Sequence, residues 1–265
     1  MRVAGLGVRD VVGVVREARD TAGSTAAIVV SGVLATELAR ALQRGSEHAS
    51  AVRVGGDPAG AAAFVIVLGG GPSADDEQVM RAAARALVPI VAVQTDPRAD
   101  PPLAYVPPSA VVMCKPGQGF PVDEIARALA DQLGHDATAL ASRIPAVRDV
   151  VVRELVRRAS LRAAAIGVLP WRKEADLPAL ALIQARLVLD VAAAHGRTVD
   201  RERAPELAAV VGSGLGVRSL VRRLPRRLPL IGGLTGYLTT RALGEAASRR
   251  FATGDRLEGS VRSGS

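Results

Sequence analysis

The residues of this chain that could do chemistry follow short apolar runs, where a parallel sheet would place a ligand site. The first is Gly32, which comes after the run from Ala26 to Val30. A phosphate-binding loop, G-x-x-x-x-G-K-[ST], would need a second glycine, a lysine and a hydroxyl beyond it. Glu37, Leu38 and Ala39 stand at those positions. Because a carboxylate repels phosphate and leucine carries no charge, we interpret this segment as an ordinary structural turn.

A second candidate is the triple glycine at residues 69–71, which follows the apolar run from Phe64 to Leu68. Ser73 is placed to cap the next helix. The first turn of that helix is acidic, and carboxylates there already satisfy its positive pole. The sequence therefore disfavours a phosphate site at these glycines. The acidic residues are Asp75, Asp76 and Glu77.

The other reactive residue types occur in no catalytic or metal-binding pattern. His48, His135 and His195 are far apart, and Cys114 is the sole cysteine. Nucleophilic catalysis needs an adjacent base, and a zinc site needs clustered ligands. We therefore predict no catalytic residue, no metal site and no resident cofactor. Three serines lie in no nucleophile motif: Ser31, Ser160 and Ser219.

Strand-like and helix-like segments alternate through the first half of the chain. Apolar runs predict buried strands at residues 26–30, 51–54, 64–68, 90–93 and 111–113. Helical patterns lie between or after them, and the last of these, Val122 to Leu133, ends at Gly134 as a C-cap. Such alternation is typical of a parallel α/β sheet, with ligands bound at the carboxyl ends of the strands.

The second half is helical and basic. Helical patterns cover residues 148–168, 177–195, 206–224 and 230–250, and an amphipathic helix is also predicted near the start, at residues 9–21. Glycines such as Gly232, Gly233 and Gly236 permit close helix contact. We place the α/β domain at residues 1–142, the helical domain at 143–252 and a disordered tail at 253–265.

The charge distribution separates the halves as clearly as their patterns do. Residues 1–150 carry 14 basic and 16 acidic side chains, whereas residues 151–265 carry 20 and 10. The second half should therefore attract anionic partners. A lone cysteine and the absence of a signal-peptide core after Met1 favour the cytoplasm. No classical membrane span is expected either, although contact with the inner face of the cell membrane stays open.

The first half resembles a degenerate GTPase domain of the Ras-like, Era type. The resemblance is carried by FVIVLGG, VPIVAVQTD and VVMCKPGQGFPVDEIARALADQLG, within residues 26–133. It implies that Asp96 is the retained aspartate of the guanine-reading Asn-Lys-x-Asp. It likewise implies that Lys115 is the retained lysine of the Ser-Ala-Lys-like loop. These two residues are the nucleotide-binding candidates of an alternative reading, in which the chain binds GTP and Mg²⁺.

The second half resembles the YcjF-like, GTPase-associated domain of uncharacterised bacterial proteins. The segments that carry this are LPALALIQARLVLDVAAAHG and LPLIGGLTGYLTTRALGEAASRRF, residues 177–196 and 228–251. The family implies association with GTPase domains and often with membranes, and it implies no reaction.

A cluster of five arginines is the strongest binding signal in this half. Arginines beside an apolar face suit an interfacial helix on anionic lipid, but a solvated helix end would look the same. Nucleic acid is a weaker alternative, because no aromatic residues are interleaved for stacking. Trp171 could anchor at the headgroup level or cover a core edge. The five are Arg218, Arg222, Arg223, Arg226 and Arg227.

Taken together, these patterns predict a GTPase-like α/β domain without a phosphate cradle, followed by an all-α helical domain. The function favoured by the sequence is non-catalytic. We expect a scaffold or regulator whose helical part binds a membrane surface or a protein partner, and a homo-oligomer is left open. The alternatives are an atypical GTPase and a basic nucleic-acid binder.

Overall fold

The structure, a computed structural model, describes residues 26–96, 98, 103–134, 136–168, 176–197 and 229–262. For residues 176–178, 229–232 and 253–262 it describes the backbone alone. The described chain divides into two compact units after Val151. We call them the α/β unit and the helical unit. The predicted helices at residues 9–21 and 206–224 lie outside the described residues.

The α/β unit contains a five-stranded sheet, and every strand pair in it is parallel. The strands are β1 (Ile28–Gly32), β2 (Val52–Val54), β3 (Ala63–Leu68), β4 (Ile90–Gln94) and β5 (Val111–Met113). Their order is β2-β1-β3-β4-β5. This is a doubly wound order of the flavodoxin type, in which the chain leaves β1 and β3 in opposite directions. The predicted parallel α/β sheet is confirmed.

Among the described residues, four α-helices lie wholly within this unit. They are α1 (Ala35–Gln43), α2 (Ala74–Arg85), α3 (Val122–Leu133) and α4 (Ala137–Arg143). Right-handed crossovers from β1 to β2 and from β3 to β4 put α1 and α2 on opposite faces of the sheet. Strands β3 and β4 are buried along their whole length, as expected for a sheet covered on both sides.

The arginine at the end of α4 ties the late part of this unit to its first strand. One Arg143 guanidinium nitrogen donates to the Ala26 carbonyl at 2.6 Å, and another donates to the Ser50 hydroxyl at 2.9 Å. The Ser46 hydroxyl in turn donates to the Arg143 carbonyl at 2.6 Å. The α/β unit therefore includes residues beyond 142, where the sequence had placed its end.

Three long helices follow. They are α5 (Pro145–Val168), α6 (Asp176–Ala194) and α7 (Pro229–Arg262), and α5 crosses the division between the units. Helix α7 runs to Arg262, into the stretch for which the sequence predicts a disordered tail. Within the described residues, no helix has a segment both long and apolar enough to cross a membrane.

Glycines of α7 let it approach its neighbours closely, as the sequence predicted. A methyl group added at Gly236 would lie 2.7 Å from the Ala163 carbonyl oxygen, and one at Gly244 would lie 2.5 Å from a Val156 methyl. Between α6 and α7, the buried Gln184 amide donates to the Thr240 hydroxyl at 3.2 Å. Close contact thus joins α7 to α5, and a buried hydrogen bond joins α7 to α6.

The end of α2 departs from the sequence pattern. Leu87 continues the helical spacing of apolar residues, but α2 ends at Arg85 and Leu87 takes a left-handed backbone with φ of 57°. The Leu87 and Val88 amides donate to the Ala84 and Ala83 carbonyls, which is the Schellman arrangement that favours glycine. Leu87 is 90% exposed, and Val88 is buried in its place.

Replacing Leu87 with glycine should stabilise the protein by about 1 kcal/mol, because it relieves the left-handed strain while exposing no core. Urea unfolding followed by circular dichroism measures this as a higher midpoint at unchanged slope. The matched control is Ala86→Gly, at a position where φ is −80° and glycine relieves nothing. A destabilisation of L87G as large as that of A86G would refute the explanation.

Candidate functional site

The carboxyl edge of the sheet is the first place to look for a ligand, and its switch point lies between β1 and β3. Here β1 and α1 are joined by only Val33 and Leu34. Gly32 has φ of 91°, and a methyl group on it would lie 2.1 Å from the Val67 carbonyl oxygen. Gly32 is therefore required for the close approach of β1 to β3.

Residues of the chain itself lie at this switch point. The Val33 amide donates to the Val67 carbonyl at 2.9 Å, and a methyl group added at Gly69 would lie 3.5 Å from a Val33 methyl. The residues that a phosphate loop would place around a ligand fall instead inside α1, where Leu38 and Ala39 are buried in the core. This agrees with the interpretation of Gly32 as a structural turn.

The triple glycine is bonded into the same edge. Gln94 is buried at the end of β4, and its amide nitrogen donates to the Gly70 carbonyl at 3.1 Å. The start of α2 is closed by a capping box, as predicted. The Asp76 amide donates to the Ser73 hydroxyl at 3.2 Å, and the Ser73 amide donates to the Asp76 carboxylate at 3.0 Å. A carboxylate therefore occupies the helix end where an anion would bind.

The two nucleotide-binding candidates lie beyond the ends of neighbouring strands. Gln94 of β4 is opposite Met113 of β5, so Asp96 and Lys115 each follow their strand by two residues. The Asp96 carboxylate accepts a hydrogen bond from the Arg98 amide at 2.9 Å, and Lys115 is exposed. Strand β3 lies between them and the switch point.

Cys114, between these candidates, is a buried free thiol. Burial raises the pKa of Cys114, and the negative charge of Glu124 raises it further. Since the thiolate is the reactive form, this environment suppresses nucleophilic chemistry. Among the described residues, no three His, Cys, Asp or Glu side chains gather where a metal ion could bind.

The helical unit contains a groove of about 440 Å³ between α5 and α7. Its apolar side includes Val152 and Val156, which are nearly buried, and the half-buried Tyr237. Charged side chains stand along it with one-turn spacing on each helix. From α5 they are Arg153 and Arg157, and from α7 they are Arg241, Glu245 and Arg249.

Two of these arginines are paired with acids. Both Nε and a terminal nitrogen of Arg157 donate to the Glu154 carboxylate, at 2.7 and 2.6 Å. The hydrogen bond from Arg157 lowers the pKa of Glu154, and Arg158 lowers it further, although burial opposes the shift. Arg241 donates to Glu245 at 2.9 Å. Arg153 is exposed and has no acidic partner within the described part of the chain.

Sequence reasoning missed this groove. Its signal was the recurrence of charged residues at four-residue spacing on two helical patterns, which by itself is typical of any solvated helix face. The six residues predicted for a membrane or partner surface all lie outside the described residues. They are Trp171, Arg218, Arg222, Arg223, Arg226 and Arg227.

The comparisons with known proteins add no family. A scan against models of protein families matches none of them, and a search of curated proteins finds no similar chain.

Proposed function

We propose that this chain is a non-catalytic scaffold or regulatory protein. In this proposal the α/β unit presents a face for protein interaction, and the basic helical unit binds an anionic membrane surface. The likeness to Ras-like GTPases and to YcjF-like proteins remains a prediction from the sequence.

The observation that best supports this proposal is the short turn at the switch point. Where a doubly wound sheet binds its ligand, the Val33 amide bonds to the Val67 carbonyl and the Val33 side chain lies near Gly69. Phosphoryl transfer depends on a lysine, a metal ion and backbone amides around the phosphates. Leu38, at the lysine position of the motif, is fully buried. Charge developing on a phosphate at the switch point would therefore lack the lysine that this motif supplies.

An apolar patch beside the switch point supports the interaction face. Val33, Leu34 and Val54 follow or end the neighbouring strands β1 and β2, and they are 49%, 53% and 52% exposed. Leu34 also has a left-handed backbone, with φ of 55°. A strained and exposed leucine contributes little to the fold, and such strain is concentrated at functional positions.

The charge of the second half supports the membrane surface. Residues 151–265 carry 20 basic and 10 acidic side chains. Each arginine near an anionic leaflet contributes about 1 kcal/mol to binding. The five arginines from Arg218 to Arg227 stand beside apolar residues in the sequence, as an interfacial helix requires.

A GTP-binding protein is the second candidate, and one observation favours it. Asp96 and Lys115 follow adjacent parallel strands, so the elements that would read a guanine base are neighbours at one edge. Strand β3 lies between them and the switch point, where buried Leu38 stands at the position of the phosphate-binding lysine.

Sedimentation with vesicles tests the membrane proposal. We expect the protein to pellet with vesicles that contain anionic phospholipid and to stay in solution with neutral ones. Changing the five arginines at 218, 222, 223, 226 and 227 to glutamine should weaken vesicle binding at least tenfold, because the electrostatic attraction is lost.

The matched control removes five exposed arginines from the α/β unit, which changes the net charge equally. Pelleting of the control like wild type would support a local surface, whereas equal loss in both variants would show a nonspecific charge effect and contradict the proposal. The control substitutions are Arg40→Gln, Arg53→Gln, Arg81→Gln, Arg85→Gln and Arg127→Gln.

Titration with a fluorescent GTP analogue and Mg²⁺ separates the two candidate functions. We expect no saturable binding of the nucleotide up to about 1 mM. A dissociation constant above that concentration means that binding contributes less than about 4 kcal/mol of free energy. A micromolar dissociation constant that weakens in Asp96→Ala and Lys115→Ala would favour the GTP-binding protein instead.

A further inference from the structure

We propose that the groove between α5 and α7 is a binding site for a small amphiphilic anion, a monomeric molecule with one acidic head group and an apolar body. This inference goes beyond the membrane proposal, because it concerns a soluble ligand and a different set of residues. Three independent observations carry it.

The first observation is the size and lining of the groove. Its volume of about 440 Å³ falls within the range that holds small organic ligands. Val152 and Val156 supply methyl groups along α5, and Tyr237 supplies an aromatic ring from α7. A ligand that made only charged contacts would leave this apolar side of the groove in contact with water. A ligand with an apolar body would cover it.

The second observation is the charge around the apolar side. Four arginines line the groove against the single acid Glu245, a surplus of three positive charges. Arg157 pairs with Glu154 and Arg241 with Glu245, whereas Arg153 has no acidic partner within the described residues. An acidic head group is therefore favoured over a neutral or cationic one. The guanidinium fork of Arg153 suits a carboxylate or phosphate, which it can bind through two hydrogen bonds.

The third observation is an unsatisfied hydroxyl in the lining. Ser160 is fully buried, and its Oγ has no hydrogen-bond partner within the described part of the chain. A buried hydroxyl left without a partner destabilises the folded protein. The groove would supply its partner if the head group of a ligand accepted a hydrogen bond from Ser160. Arg153 and Ser160 lie on the same helix, seven residues apart, so two helical turns place them along one face.

Decanoate, used below its micelle concentration, is a suitable probe in isothermal titration calorimetry with the full chain. We expect saturable binding of one decanoate per protein and no binding of decyltrimethylammonium, which has the same alkyl chain and the opposite charge. Arg153→Gln should weaken decanoate binding about tenfold or more, because a charge-assisted contact is removed. Arg162→Gln is the matched control, an exposed arginine of the same helix outside the groove, and should bind like wild type.

Ser160→Ala adds a readout that a merely structural serine would not produce. Removing an unsatisfied hydroxyl should leave the melting temperature of the free protein unchanged or higher, while decanoate affinity falls severalfold. Three results would overturn the proposal: no saturable decanoate binding, equal binding of the cationic analogue, or wild-type affinity in both R153Q and S160A. None of these depends on vesicles, so failure here is distinguishable from failure of the membrane proposal.

Discussion

The α/β unit depends on how closely its first strand approaches its third. Gly32 lies so near the Val67 carbonyl that no side chain fits there, and the next amide, from Val33, bonds to that same carbonyl. Because of this contact, only two residues separate the end of β1 from the start of α1. A turn that short leaves no room for a loop around phosphates. The same glycine that a motif search would assign to nucleotide binding is thus explained by strand packing, which supports the proposal of a non-catalytic chain.

In the helical unit, glycines also allow close packing, but here the packed helices leave a groove between them. Glycines bring α7 against its neighbours, and where side chains diverge, α5 and α7 leave a groove with an apolar wall and a basic rim. Ion pairs within single helices, Arg157 with Glu154 and Arg241 with Glu245, neutralise part of that rim. The excess of arginine over acid in this lining agrees in sign with the composition of residues 151–265, and it supports the proposal of an anionic ligand.

Much of the fold could be predicted because its signals are local. The helix from Val122 to Leu133 and its glycine cap were predicted with the observed bounds. Both signals are local, because the apolar spacing and the capping glycine lie within one short segment of the sequence. Strand β1 shows the limit. It was expected at residues 26–30 and lies at Ile28–Gly32, because Ser31 and Gly32 resemble a turn yet pair with Ile66 and Val67 of β3. Backbone hydrogen bonds determine strand pairing, so side-chain type is a poor guide to where a strand ends.

The sites were harder to predict than the elements. The ends of β4 and β5, which position Asp96 and Lys115, follow from the parallel register. The groove could not be foreseen, because Arg153 and Arg241 belong to helices far apart in the chain and only their packing brings them together. Leu34 and Leu87 fit apolar patterns and yet are exposed with left-handed backbones, an outcome decided by how each neighbouring helix begins or ends.

We propose that the residues after β1 close the switch point of the sheet. Amide hydrogen exchange at Val33, measured with and without Mg²⁺ and GTP, tests it most directly. We predict that the Val33 amide is protected like the amides of β3 and that nucleotide leaves its exchange rate unchanged. Rapid exchange of Val33, or protection that appears only when nucleotide is added, would contradict the account.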